Sequence, residues 1–198
     1  MNNATLSAEI AVTAARLVVE EGMEYGPAKR KAAQLLGRGA RDAALPDNEM
    51  LEDEVRAYLE LFHAESQPLE LAALRAVAAE WMERLAEFRP HLSGAVWRGT
   101  ATRLDPVHLE LFCDDSKAAE IALIDRRIDY AVHAWRGPRG QAVDLLQLAT
   151  PCAALGDSVT VRLCILDHDD LRGLLRPDAR GRTLRGDLAA LRRLMQSR

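Results

Sequence analysis

The sequence predicts an α+β protein, with an N-terminal region of about four helices followed by a mixed β-sheet core with flanking helices. Three observations carry that expectation. Apolar residues recur at helical spacing up to Phe88. After Pro90 the recurrence shortens to two residues, the period of a half-buried strand. Beyond that point strand-like segments are interrupted by helical ones rather than alternating strictly with them. The expected division is a helical region over residues 1–89 and an α+β domain over residues 90–198.

The first helix is expected after Thr5 or Ser7 as cap, with Ile10, Ala14, Leu17 and Val18 on one face and Gly22 as its stop. Pro27, a favoured first-turn residue, opens a second helix that runs to Gly37. A Gly- and Ala-rich loop covers Arg38 to Leu45. Pro46-Asp47 then starts a third helix, with acids in its first turns where the helix dipole favours them and a stripe of Leu51, Val55, Tyr58, Leu59 and Phe62. Pro68 starts a fourth, with Leu71, Leu74, Val77, Trp81, Leu85 and Phe88 inward, ending before Pro90.

His91 to Thr100 reads as short and extended. Val107, Leu109, Leu111 and Cys113 alternate with His108, Glu110 and Phe112, the signature of a strand. Asp115 or Ser116 caps a helix through Ala118 to Leu123. Strands follow over Ile128–Trp135 and Ala142–Leu148, joined by the turn Gly137-Pro138-Arg139-Gly140. Ser158–Leu166 is the most apolar strand, Asp167 or Asp169 caps a short helix, and a last amphipathic helix runs from about Leu184 to Met195. No repeat of solenoid period and no low-complexity segment is present.

Composition bounds the function classes. Hydrophobic residues make up 48% and charged residues 28% of the 198, as in ordinary globular proteins. No apolar run approaches the roughly 20 residues needed to span a bilayer. The start, Met-Asn-Asn-Ala-Thr-Leu-Ser, lacks the basic and apolar regions of a signal peptide. Cys113, Cys152 and Cys164 form an odd set without metal-type spacing, expected as free thiols. Together these point to a cytoplasmic protein with no membrane partner. Charge is uneven: residues 1–90 carry 10 basic and 16 acidic side chains, whereas the last 27 residues hold eight arginines against Asp178 and Asp187. The Arg-rich end reads as a solvated helix or as a surface for an anionic partner.

The segment Leu92-Ser93-Gly94-Ala95-Val96-Trp97-Arg98-Gly99-Thr100-Ala101-Thr102 resembles the opening motif of the DNA polymerase β-like nucleotidyltransferase superfamily. The resemblance covers residues 92–132. It implies a nucleotidyltransferase-like core in which Gly94, Ala95, Arg98 and Gly99 form the nucleotide-binding turn, with backbone amides near the phosphates. The family's next strand carries two acids two residues apart, which hold the divalent metals that bind the triphosphate and activate the attacking hydroxyl. A later strand adds a third acid. Here Ala95 stands for the motif serine, Pro106 and His108 stand for the paired acids, and Asp129 matches the third.

Two readings of that site stay open. In one, the scaffold has lost standard two-metal transfer and binds a nucleotide, a nucleic acid or a protein partner. In the other, His108, Glu110 and Asp129 form a non-standard face for Mg²⁺, Mn²⁺ or a transition metal and transfer continues, with these three as the candidate catalytic residues. The weightier alternative for His108 and Glu110 is the polar side of a half-buried strand. Asp114-Asp115 and Asp167-His168-Asp169-Asp170 read as helix caps before they read as metal ligands.

Ile10 to Met23 resembles the first helix of TetR-type regulators, which implies a helix-turn-helix with Lys29, Arg30 and Lys31 near phosphates. The next helix carries Asp47, Glu49, Glu52, Asp53 and Glu54, which DNA would repel, so DNA is not the expected partner. A regulatory or structural module, self-associating through its helical region, is the third reading.

Overall fold

The computed structural model describes residues 3–37, 45–137, 140–178 and 180–196. Of the expected features, the loop before Leu45, Pro138 and Arg139 of the turn, and the terminal Arg198 lie outside the described residues. The chain is α+β, with N-terminal helices followed by a mixed sheet. It forms two compact units. One comprises Met1–Leu69 with Thr100–Leu104, and the other Glu70–Gly99 with Asp105–Arg198. The division therefore falls near residue 69 rather than residue 89, because most of the fourth helix contacts the sheet-containing unit.

In the first unit, α1 (Asn3–Glu21) packs against α2 (Tyr25–Leu35) and α3 (Asn48–Phe62). Its core joins Ile10, Leu17, Val18 and Leu51, Val55, Leu59 with the alanines at 14, 15, 28, 32 and 33. Such small side chains let helix axes approach closely. α1 starts at Asn3, so neither Thr5 nor Ser7 caps it. It stops at Gly22, whose φ of +63° suits glycine, and a Cβ there would lie 3.1 Å from Cβ of Leu104. Asp47 caps α3, its carboxylate accepting from the Met50 amide at 2.7 Å. Phe62 departs from the expected stripe. It is exposed, its ring 4.6 Å from that of Tyr58, because the helix has run past the core by its last turn.

The second unit begins within α4 (Gln67–Arg84), which buries Leu74, Val77, Trp81 and Met82. A short 3₁₀ turn over Ala86–Phe88 leads to β1 (His91–Ser93), α5 (Gly94–Arg98) and β2 (Val107–Phe112). Next come α6 (Ala118–Asp125), β3 (Ala131–Arg136), β4 (Ala142–Cys152) and β5 (Asp157–Leu166). The chain closes with α7 (His168–Leu174), β6 (Arg185–Gly186) and α8 (Leu188–Gln196). The strand order is β3-β4-β5-β2-β1-β6. β2 and β5 run parallel, which the long connection through α6, β3 and β4 permits; every other neighbouring pair is antiparallel.

Three local expectations are corrected here. Residues 94–98 form a helical turn instead of extended chain, because Gly94 (φ +73°) breaks the strand and Gly99 (φ +83°) ends the helix in a left-handed cap. β6 was not foreseen, since two residues are too few to show a period, and the last helix accordingly starts at Leu188 instead of Leu184. The helix expected from Asp115 or Ser116 starts at Ala118, and Asp115 instead accepts from the Lys117 amide at 2.9 Å.

Candidate functional site

β2 sorts its side chains by face. Val107, Leu109 and Leu111 are wholly buried, while His108 and Glu110 on the opposite side are half-buried. Residues paired across a sheet share a face, so register extends this polar side over five strands. One row runs Arg185, Ser93, His108, Arg162, Gln147 across β6, β1, β2, β5 and β4. All five members are half-buried. The next row places His91 beside Glu110 and Glu110 beside Cys164.

Charge on this face is tied together. Arg185 Nε lies 2.7 Å from Glu110 Oε2, with the side chains only 13% and 14% exposed, in ionic contact though not aligned as a hydrogen bond. A second guanidinium nitrogen of Arg185 donates to the Leu174 carbonyl at 2.6 Å. Burial pushes the Glu110 carboxyl above its ordinary value; Arg185 and a hydrogen bond from Ser93 offset part of that rise. Cys164 is pushed up to about 12, first by burial and then by the negative charges of Glu110 and Asp170. Asp170 of α7 is itself buried and accepts from Gln141 at 3.3 Å. Arg162 Nε donates to Gln147 Oε1 at 3.2 Å, which orients its guanidinium along the row.

The turn expected to bind nucleotide adjoins this face. A Cβ at Gly94 would lie 3.2 Å from the His108 ring, so the glycine is what allows turn and histidine to meet. Ala95, Arg98 and Gly99 continue from it through α5, half-buried. The carbonyl of Val96 is held by Arg75 Nε at 3.2 Å. On β6, Gly186 accommodates the Trp97 indole, which occupies the space a Cβ would need, and Trp97 Nε1 donates to the Thr183 carbonyl at 2.7 Å.

Of the three expected metal-face residues, the fold brings two together. His108 and Glu110 share the polar face, but Asp129 does not join them. It is exposed and precedes β3, the far edge strand, with β4 and β5 standing between β3 and β2. The strand beside β2 is β5, which sets Arg162 against His108 and Cys164 against Glu110. The residues do not fit a two-metal centre. Such a centre needs several oxygen ligands around each ion, whereas Pro106 offers no side-chain donor and Glu110 already faces a guanidinium. Among the described residues no group of three or more His, Cys, Asp or Glu could hold a metal ion.

The other acidic runs act locally. Asp167 caps α7, accepting from the Asp169 amide at 2.8 Å, and His168 Nε2 lies 3.9 Å from Asp114 Oδ1. The three cysteines are free; Cys113 and Cys152 are buried and Cys164 is half-buried. Among the described residues no helix is long and apolar enough to cross a membrane. Sequence reasoning missed Ser93, Arg162 and Arg185. Arg162 had a visible signal, a single cation inside the most apolar strand, while Arg185 had none until β6 was seen to pair with β1. Comparison with protein-family models gave no match, and comparison with curated proteins gave none either.

Proposed function

We propose that the sheet-containing unit is a nucleotidyltransferase-like scaffold that binds a nucleotide or a related phosphate-bearing ligand and lacks standard two-metal transfer. The observation that carries this reading is the Arg185–Glu110 pair beside the Gly94 turn. The carboxylate nearest the positions of the family's metal-binding acids is neutralised by a cation of the same chain. In support, the strand–glycine turn–helix–strand order of residues 91–112 follows the family's opening, and Pro106 and His108 stand where its paired acids would be.

Thermal unfolding with each nucleoside triphosphate, with and without Mg²⁺ or Mn²⁺, tests the reading. A rise in melting temperature with at least one nucleotide, and no transfer of labelled nucleotide to protein or small-molecule acceptors, is the expected result. Transfer that Glu110→Ala abolishes would restore the catalytic alternative. A second reading, self-association through the helical unit, is favoured by the exposure of Leu61 (73%) and Phe62 (61%) at the end of α3. Light scattering of the wild type and of Phe62→Ser decides it: a dimer that Phe62→Ser converts to monomer supports it, and a wild-type monomer removes it.

A further inference from the structure

We propose that the outer edge of β3 is a self-association surface, at which two copies of the chain join by antiparallel pairing of β3 with β3 about a twofold axis normal to the sheet. The two sheets then continue one another. This goes beyond the ligand reading above, and it uses a surface of the sheet-containing unit rather than Phe62 of the helical unit.

The two edges of the sheet end differently. β6 is only two residues long, Trp97 fills the space beside its Gly186, and its Arg185 is held by Glu110 and the Leu174 carbonyl. So short and engaged an edge gives an incoming strand little to pair with. At the other end of the strand order, β3 presents six residues, every one of them exposed. Its register with β4 runs without a bulge, and it contains neither proline nor lysine, so these devices that blunt an edge are missing from it. Alternate residues of such an edge turn both N–H and C=O outward, and an extended chain satisfies them in series. Val132 and Trp135, which point to opposite faces, are 50% and 40% exposed and add apolar surface on either side of that edge.

The occupant that fits this edge is the strand itself, on grounds of shape and of charge. A twofold axis normal to the sheet pairs residues of one face with residues of the same face. Centred on His133, it sets Trp135 of one copy opposite Ala131 of the other, and Val132 opposite Ala134. A large side chain then meets a small one on each face, which is how cross-strand pairs pack well. Charge runs along the strand from acid to base. Asp129 is exposed just before it, Tyr130 donates to Glu120 at 2.9 Å, and Arg136 is exposed at its end. Arg127 belongs to the turn that closes α6 and lies outside the paired stretch. Antiparallel pairing lays the Arg136 end of each copy against the Asp129 and Glu120 end of the other, whereas parallel pairing would set cation beside cation. Exposed ion pairs contribute little affinity. Their part here is to fix direction, while the backbone ladder and the apolar pairs hold the copies together.

Analytical ultracentrifugation of the full chain over a series of concentrations, with amide hydrogen exchange of residues 131–136 on the same samples, tests the proposal. The wild type should dimerise, and exchange in β3 should slow as the dimer forms. Val132→Lys sets a like charge on the same face of both paired strands and should raise the dimer Kd about tenfold or more. Arg136→Glu and Asp129→Arg should each weaken the dimer alone, and an equal mixture of the two should restore it, since each acid then meets a base. All three positions are exposed, so these variants should keep the wild-type urea unfolding curve. A wild type that stays monomeric up to about 0.5 mM would overturn the proposal and leave the edge to an extended segment of another protein. A dimer that survives Val132→Lys with unchanged exchange in β3 would overturn it too, and loss of that dimer in Phe62→Ser would move the contact to the helical unit. Failure of the mixture to restore a dimer that both single variants weaken would overturn the antiparallel arrangement.

Discussion

The helical unit and the sheet unit treat their buried charges differently. In the helical unit most ionic contacts stay at the rim: Glu20 accepts from Tyr58 at 3.0 Å and meets His63 Nε2 at 3.0 Å, and Lys31 pairs with Glu21 at 2.6 Å. The exception, Glu52 of α3, is buried, and it pairs at 2.8 Å with Arg56, whose side chain reaches water. Its interior is aliphatic and rich in alanine. The sheet unit draws charge inward, with Glu110, Arg185 and Asp170 all under about one-seventh exposed. Holding charge away from water costs free energy that a purely structural face would avoid by using apolar residues. The difference lies in the partner: the buried acid of the helical unit meets a cation open to water, whereas the sheet unit buries both members of its pair.

The largest expected effect removes one member of the inward pair. Arg185→Met should cost about 3 kcal/mol in urea unfolding at pH 7, because Glu110 is left charged and half-buried without its partner. The loss should shrink towards pH 4, where the already raised Glu110 carboxyl takes up a proton and no charge remains to compensate. An equal loss at both pH values would mean that Arg185 acts through packing alone. Next in size, Gly186→Ala should cost about 1–3 kcal/mol, since the new Cβ would overlap the Trp97 ring. Its readout is tryptophan fluorescence, which should shift as the Trp97 indole is displaced. The rim cluster gives the smallest change: Glu20→Gln should cost less than about 1 kcal/mol, as for other exposed pairs. A loss as large as that of Arg185→Met would erase the contrast between the units.

The thiol of Cys164 sharpens the same contrast by a different route. Its folded value near 12 lies above the ordinary 9.0, so the unfolded chain ionises first as pH rises. The contribution of this group is therefore complete below pH 9 and is lost progressively between pH 9 and about 12. Iodoacetamide at pH 8.5 should modify Cys164 slowly in the folded protein and quickly in urea, read by mass spectrometry of the peptide. Rapid modification in the folded state would show that this part of the face is open and well solvated.

The sequence by itself determined the helices of the first unit, the alternation of β2, and the α+β class. Each depends on local periodicity: Leu51, Val55 and Leu59 repeat at helical spacing, and Val107, Leu109 and Leu111 at strand spacing, whatever partner they meet. Where a helix outruns its core, as at Phe62, periodicity overstates burial, because the pattern carries no information on where the neighbouring element ends. Half of the polar face was legible in the same way, since His108 and Glu110 lie two residues apart on one strand. Tertiary structure alone decided their company. Asp129 stands 19 residues from Glu110, and Arg185 stands 75 from it, yet strand order excludes the nearer residue and admits the farther one. Strand order is a property of the whole sheet, set by which apolar faces can be covered together, and no local spacing encodes it.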